Sequence, residues 1–279
     1  MIKTLLKLLL SAIVYTIVFS AANALLPFSQ GFKELNVSEN PLNLLFLLLN
    51  AVWICFTMYF IIRHTNVGGK KLFAGLLFVM FFVQCFMTQI ETLFFIDRFT
   101  ALTRLDVVLI MFAGLFPLLA AVPLLLLFFG KKDVVVEKIQ INIKSIMLKL
   151  GIIGIIYLCV YMLFGYFVAW QFEELRIFYS GSAEKLNFWE QVLGNSPAMF
   201  LFQIARGILF GIFVLPLIHM VNKNKAVFII SVCLVYLCTA VVLIIPNVLF
   251  PDMVRFGHLI EMTSSMLLFG IITGSILWN

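Results

Sequence analysis

Long apolar runs alternate along this chain with short polar stretches. Eight runs, at 5–28, 42–62, 72–96, 106–129, 147–170, 198–219, 226–247 and 256–278, carry few charges. Each is long enough to be a spanning helix, because ~20 residues at ~1.5 Å each cross a ~30 Å hydrocarbon core. They are too long and too uniformly apolar for the alternating strands of a membrane β-barrel. A helix also satisfies its own backbone groups, as lipid requires. The pattern predicts an all-α, polytopic transmembrane bundle of eight spans, forming one integral membrane domain over residues 1–279.

Composition points the same way. The chain is 63% apolar and 11% charged, with 31 phenylalanines and a mean hydropathy of +1.14. Soluble domains sit near ~45–50% apolar and ~25% charged, and a soluble fold of this size has too little interior to hide the difference. Soluble enzymes, nucleic-acid binders, disulfide-stapled secreted modules and disordered chains are excluded. Cys55, Cys85, Cys159, Cys233 and Cys238 all lie in apolar runs and form no Cys-x-x-Cys pair. They read as packing residues rather than a disulfide framework or zinc site.

Charge then orients the bundle. Lys3, Lys7, Arg63, Lys70, Lys71, Lys131, Lys132, Lys138, Lys144, Lys149, Lys223 and Lys225 fall on one side. Lys33, Arg98, Arg104, Arg176, Lys185 and Arg255 fall on the other, and Arg206 lies within a span. Basic residues favour the cytoplasmic side, so both termini are expected there, in the cell membrane. Lys3, Lys7, Leu8–Phe19 and Ala22-Asn23-Ala24 also fit a cleaved signal peptide. The apolar run continues to Pro27, which favours an uncleaved first helix.

The outer loop 171–197 carries Leu186, Trp189 and Leu193 at helical spacing, with Ser182 as expected N-cap and Gly194 as stop. This predicts a short helix lying in the interface. The inner loop 130–145 reads as a cytoplasmic connector. Ile61-Ile62-Arg63-His64-Thr65-Asn66 and Leu217-Ile218-His219-Met220-Val221-Asn222 precede lysines at corresponding places in the two halves. They suggest a 4+4 parallel repeat. Pro117, Pro123 and Pro216 are expected to kink spans four and six, with a break at Gly114–Pro117. Gly207–Gly211 and Gly270–Gly274 are close-packing pairs, and the first is expected to draw Arg206 toward span eight.

The informative residues are the charges inside spans, which are costly in lipid and need a partner or a wet cavity. Gln84, Thr88, Glu91 and Arg98 are spaced to share one face of span three. Arg206 lies roughly 12 Å below the outer end of span six at helical rise, with Gln203 one turn before it. His258, Glu261 and Ser265 share a face of span eight, with Arg255 a turn earlier and Asp252 capping. All lie in the outer half. Glu91 and Glu261 are the buried carboxylates available to Arg206.

Glu173-Glu174-Leu-Arg176 departs from the Glu-Glu-x-x-x-Arg run of CAAX-type intramembrane proteases: the arginine comes two positions early, and no Phe-x-x-x-His follows. Zincin, nucleophile-elbow and phosphate-loop motifs are absent. No metal or cofactor is expected. The best-supported expectation is a transporter or permease-like protein with an outward-facing polar pocket built from Glu91, Gln203, Arg206, Arg255, His258 and Glu261. It would take a small anionic solute or lipid headgroup. A non-catalytic scaffold or assembly factor, whose charges only pair, is the alternative. An intramembrane enzyme is a third, with Glu91 or His258 as base and Arg255 or Arg206 holding the phosphate of a lipid-linked substrate at the outer leaflet.

Overall fold

Leucine, phenylalanine, isoleucine and alanine fill the middle of each run, and cap residues stand at the ends. Ser196 accepts the N–H of Met199 ahead of Pro197, Asn142 accepts from Ser145, and Asn224 accepts from Val227. These side chains take up the backbone donors that a helix leaves open at its start. In the computed structural model, which describes residues 2–35, 42–99, 101–130, 142–221, 224–247 and 249–278, eight helices are long and apolar enough to cross a membrane. They are α1 (Ile2–Leu25), α2 (Leu42–His64), α3 (Gly69–Phe94), α4 (Arg104–Phe129), α5 (Ile143–Gln171), α6 (Pro197–Met220), α7 (Lys225–Ile244) and α8 (Asp252–Leu277). No strand occurs among the described residues. The all-α polytopic expectation holds. Most of the inner connector, residues 131–141, lies outside the described residues.

The packing divides the bundle into halves. In the first, α1 lies against α2 and α4, and α4 against α2 and α3. In the second, α5 lies against α6 and α8, and α8 against α6 and α7. The halves meet through α3 on α6, α2 on α7, and α3 on α7. Exchanging each helix with the one four places along turns these first-half contacts into second-half ones and the seam into itself, while α6 also touches α7. At the lysine-bearing face the backbone N–H of Asn66 donates to Met220 O (3.0 Å), joining the two connectors of similar sequence.

Glycine sets the close approaches, though one differs from expectation. Gly270 and Gly274 seat α8 on α7, where an added Cβ would fall 2.9 Å from Cys233 Cα and 3.0 Å from Ile229 Cα. Gly207 faces α5, not α8: its Cβ would fall 2.8 Å from Gly154 Cα. Helix α4 is interrupted at Gly114, as expected from Gly114–Pro117. The break abuts a π-helical turn, Phe81–Phe86, in α3, and a Cβ at Gly114 would strike Cys85 Sγ.

Opposite the lysine-bearing face, Asp106 joins the connector after α1 to α4. Its carboxylate accepts from the backbone and hydroxyl of Ser29 (both 2.7 Å) and from Thr103 (3.0 and 2.7 Å). Asp106 is buried, as is Glu261, while Glu91 is half-buried, so the buried carboxylates are not the expected pair of Glu91 and Glu261. The signal was the Thr103-x-x-Asp106 capping box. The loop 171–197 holds two short helices. Phe188–Leu193 is capped by Asn187, in a reciprocal box with Glu190, and not by Ser182. Glu173–Ser180 was not foreseen and ends at Gly181, whose φ of +75° suits glycine.

Candidate functional site

Two local features aim the charges. With Gly207 seated on α5, the adjacent Arg206 lies between α5 and α3. On α3 the π turn inserts extra backbone and rotates the remainder of the helix, as single π turns do, often beside functional groups. Gln84, Thr88, Glu91 and Arg98 therefore do not act as one face. Gln84 donates to Tyr15 Oη of α1 (3.0 Å), and Thr88 bonds carbonyls of its own helix. Arg98 closes a separate turn, Ile96–Arg98. Glu91 turns to α6.

There it meets Arg206 in a side-by-side double hydrogen bond, Nη1 to Oε1 and Nη2 to Oε2, both 2.7 Å. Nη1 also donates to Gln203 Oε1 at 3.0 Å. Such forked, charge-assisted contacts are the strong ones. The rings of Tyr157, Phe202 and Phe210 stand 5.5, 5.7 and 5.9 Å from the guanidinium carbon. The side chain of Arg206 is 3% exposed and that of Glu91 27%, so the pair is reached from the glutamate side. Arg206 Nε is buried with no hydrogen-bond partner among the described residues.

A second polar group stands beside it. His258 Nε2 is 2.9 Å from Tyr179 Oη, and Nδ1 is 3.8 Å from Glu261 Oε2. Tyr179 comes from the helix Glu173–Ser180, held down by Arg176, which donates to Ala183 O (2.8 Å) and Trp170 O (2.7 Å). Burial, with Glu91 and Glu261 adding to it, pushes the Tyr179 phenol well above its ordinary range. Tyr157 is within electrostatic range of Arg206, Glu91 and Glu261, and Tyr161 of Glu91, Arg206 and Tyr179. The two groups thus share one polar zone made by α3, α5, α6, α8 and the outer helix.

Of the expected residues, Glu91, Gln203 and Arg206 come together directly, with His258 and Glu261 alongside. Arg255 does not join them. It donates to the carbonyls of Leu243 (3.0 Å) and Ile244 (3.2 Å) at the end of α7, and to Asp252 (2.8 Å). That role is a cap, set where a cation complements a helix C-terminus. Sequence reasoning missed the tyrosines. Tyr157 and Tyr161 are one turn apart on a single span and could have been flagged as a hydroxyl-bearing stripe. Tyr179 could not, because only the unforeseen outer helix brings it over α8.

Farther along the same α3–α6 seam, a cavity of about 250 Å³ lies near the lysine-bearing face, lined by Val67, Lys71, Gly75, Pro216, His219 and Met220. Among the described residues, no three His, Cys, Asp or Glu side chains gather to hold a metal ion. Comparison with protein-family models, with curated proteins and with solved structures finds no match, so the chemistry rests on the site's own geometry.

Proposed function

We propose that this multi-pass membrane protein is a permease-like carrier of a small anionic group, with Arg206 as the binding cation and Glu91 as the carboxylate that occupies it when no solute is present. The carrying observation is that the Arg206–Glu91 pair bridges the two four-helix halves. A buried ion pair holds a seam no better than well-packed apolar residues. Charge inside a membrane bundle is more often explained by a solute or proton path.

The α3–α6 seam supports this reading along its length. Phe94 and Phe202 stack 4.1 Å apart, then comes the ion pair. Next, Phe213 packs on Phe82 (4.6 Å) and Phe86 (5.7 Å), and the cavity lies beyond them. An aromatic stack at one end of the seam and a cavity at the other support the reading of a carrier in one of its two facing states. We place the lysine-bearing face in the cytoplasm, with both termini there, and the protein in the cell membrane.

Uptake into proteoliposomes, first of inorganic phosphate and short carboxylates, tests the proposal. Arg206→Met is expected to abolish uptake that wild type supports, and Arg206→Lys to retain part of it. Unchanged uptake by well-folded Arg206→Met protein overturns it. A scaffold is the second reading, favoured by one fact: both Nη atoms already have partners. It predicts full function in cells for Arg206→Met/Glu91→Leu.

A further inference from the structure

The second polar group has a chemistry of its own. His258 has a tyrosine hydroxyl at one ring nitrogen and a carboxylate near the other. The Glu261 contact, at 3.8 Å, is beyond hydrogen-bond length. The site is well framed. Tyr179 meets the imidazole edge-on (centroids 5.5 Å apart), and Phe250 stands 5.8 Å away. Gly257, the residue before the histidine, seats α8 so closely on the outer segment that an added Cβ would fall 2.7 Å from Leu175 Cδ1.

We propose that His258, Glu261 and Tyr179 form a proton-binding site that couples proton uptake to loading of an anion at Arg206. This rests on the permease reading for its purpose, but its geometry stands apart. Whichever nitrogen holds hydrogen in the neutral ring, the protonated ring carries N–H on both. One is directed to the Tyr179 oxygen and the other to Glu261, which closes to hydrogen-bond distance. The proton comes from solvent and no other bond breaks.

The charges around the ring decide the consequence. Glu261 and Arg255 share its helix, and Arg255 is already engaged by Asp252 and the α7 carbonyls. Glu91 comes from α3, Arg206 from α6 and Tyr157 and Tyr161 from α5, while Arg98 acts on Tyr179. Glu91, Glu261 and Arg206 with a neutral His258 sum to a charge of −1, and protonation brings the group to zero. An anion enters a neutral group at lower electrostatic cost than a negative one. Proton and anion should therefore load together.

The chain has three histidines, so selective ¹⁵N labelling in nanodiscs resolves His258 by its loss in His258→Gln. Removing a nearby carboxylate disfavours the charged ring. Glu261→Gln is expected to lower the His258 titration midpoint by about one pH unit, a tenfold fall in proton affinity. Tyr179→Phe should lower it less. Identical titration in wild type and Glu261→Gln overturns the proposal, as does a wild-type ring that stays neutral from about pH 4 to 9. In proteoliposomes, uptake of a transported probe anion should rise at acid pH in wild type and lose that dependence in Glu261→Gln. Wild type that moves no anion counts against the permease reading alone, because the titration needs no solute. Anion uptake with uncoupled titration counts against the proton site alone.

Discussion

The halves of the bundle cross at two equivalent places, and these are built differently. Where α3 meets α6, Glu91, Arg206 and Gln203 form a charged, forked network. Where α2 meets α7, Cys238 Sγ lies 3.8 Å from Thr57 Oγ1 and bonds Leu234 O of its own helix at 3.3 Å. Both Thr57 and Cys238 are fully buried. In sequence register Arg206 of α6 corresponds to Asn50 of α2, each sixteen positions before the asparagine of its connector, Asn66 or Asn222. One seam thus shows weak thiol and hydroxyl contacts where the other has a charged network. The architecture does not itself demand an ion pair. The charge at the other seam is an addition to the packing, which makes it the better guide to function.

The largest test of that contrast is Arg206→Met. It leaves the partly exposed Glu91 without its partner, a loss of at most about 3–5 kcal/mol, the figure for fully buried pairs. Thermal unfolding in nanodiscs should show it clearly. Arg206→Met/Glu91→Leu should recover most of the stability, because the neutral seam shows that no charge is required. If the double variant is as unstable as the single one, the ion pair is part of the frame and the contrast fails. Gln203→Leu comes next. It removes a carbonyl that accepts from the guanidinium at 3.0 Å, and hydrogen bonds to charged groups are worth about 1.5–3 kcal/mol. The remaining Arg206–Glu91 contact should survive, so anion selectivity should weaken before folding does.

Gly207→Ala probes what aims Arg206 rather than what binds it. Its Cβ would fall 2.8 Å from Gly154 Cα and press on Tyr157, the ring beside the guanidinium. Overpacking of that kind costs about 1–3 kcal/mol. Gly151→Ala, on α5 with nothing within 4 Å of the added atom, is the matched control and should be silent. Equal effects at the two positions would mean that the α5–α6 contact does not position the charge.

The eight spans were legible because lipid leaves a chain few choices: a run of the right length and polarity becomes a helix. That Arg206 needs Glu91 or Glu261 was legible for a related reason, since a deep cation needs an anion at its own depth, and the structure chooses Glu91. What escaped was rotation. A π turn is a matter of backbone register and has no compositional mark, so Gln84 and Glu91 seemed to share a face that Phe81–Phe86 divides. Gly207 could be recognised as a packing residue, but spacing on one helix does not name the neighbour. Arg255 looked like a site residue because carbonyls at the end of α7, its true partners, are invisible in side-chain patterns. Tyr179 depended on the helix Glu173–Ser180, which was not foreseen.

Thr57→Val, at the neutral seam, should produce the smallest change. Valine keeps the shape of threonine and removes one hydroxyl, whose inter-helix partner is a thiol at 3.8 Å. Thiols are weak donors, so the lost contact is small, while a buried hydroxyl loses its own desolvation cost on removal. The two terms oppose, and the net change in stability should stay within about 0.5 kcal/mol, the range of substitutions that touch none of the costly mechanisms. Because α2 and α7 come from different halves, the variant also bears on movement. If Thr57→Val slows uptake of the probe anion while leaving stability unchanged, the neutral seam is itself a moving contact, and the carrier slides on both seams. If uptake is unaffected, α2–α7 is the fixed side and α3–α6, with its ion pair, is the side that opens.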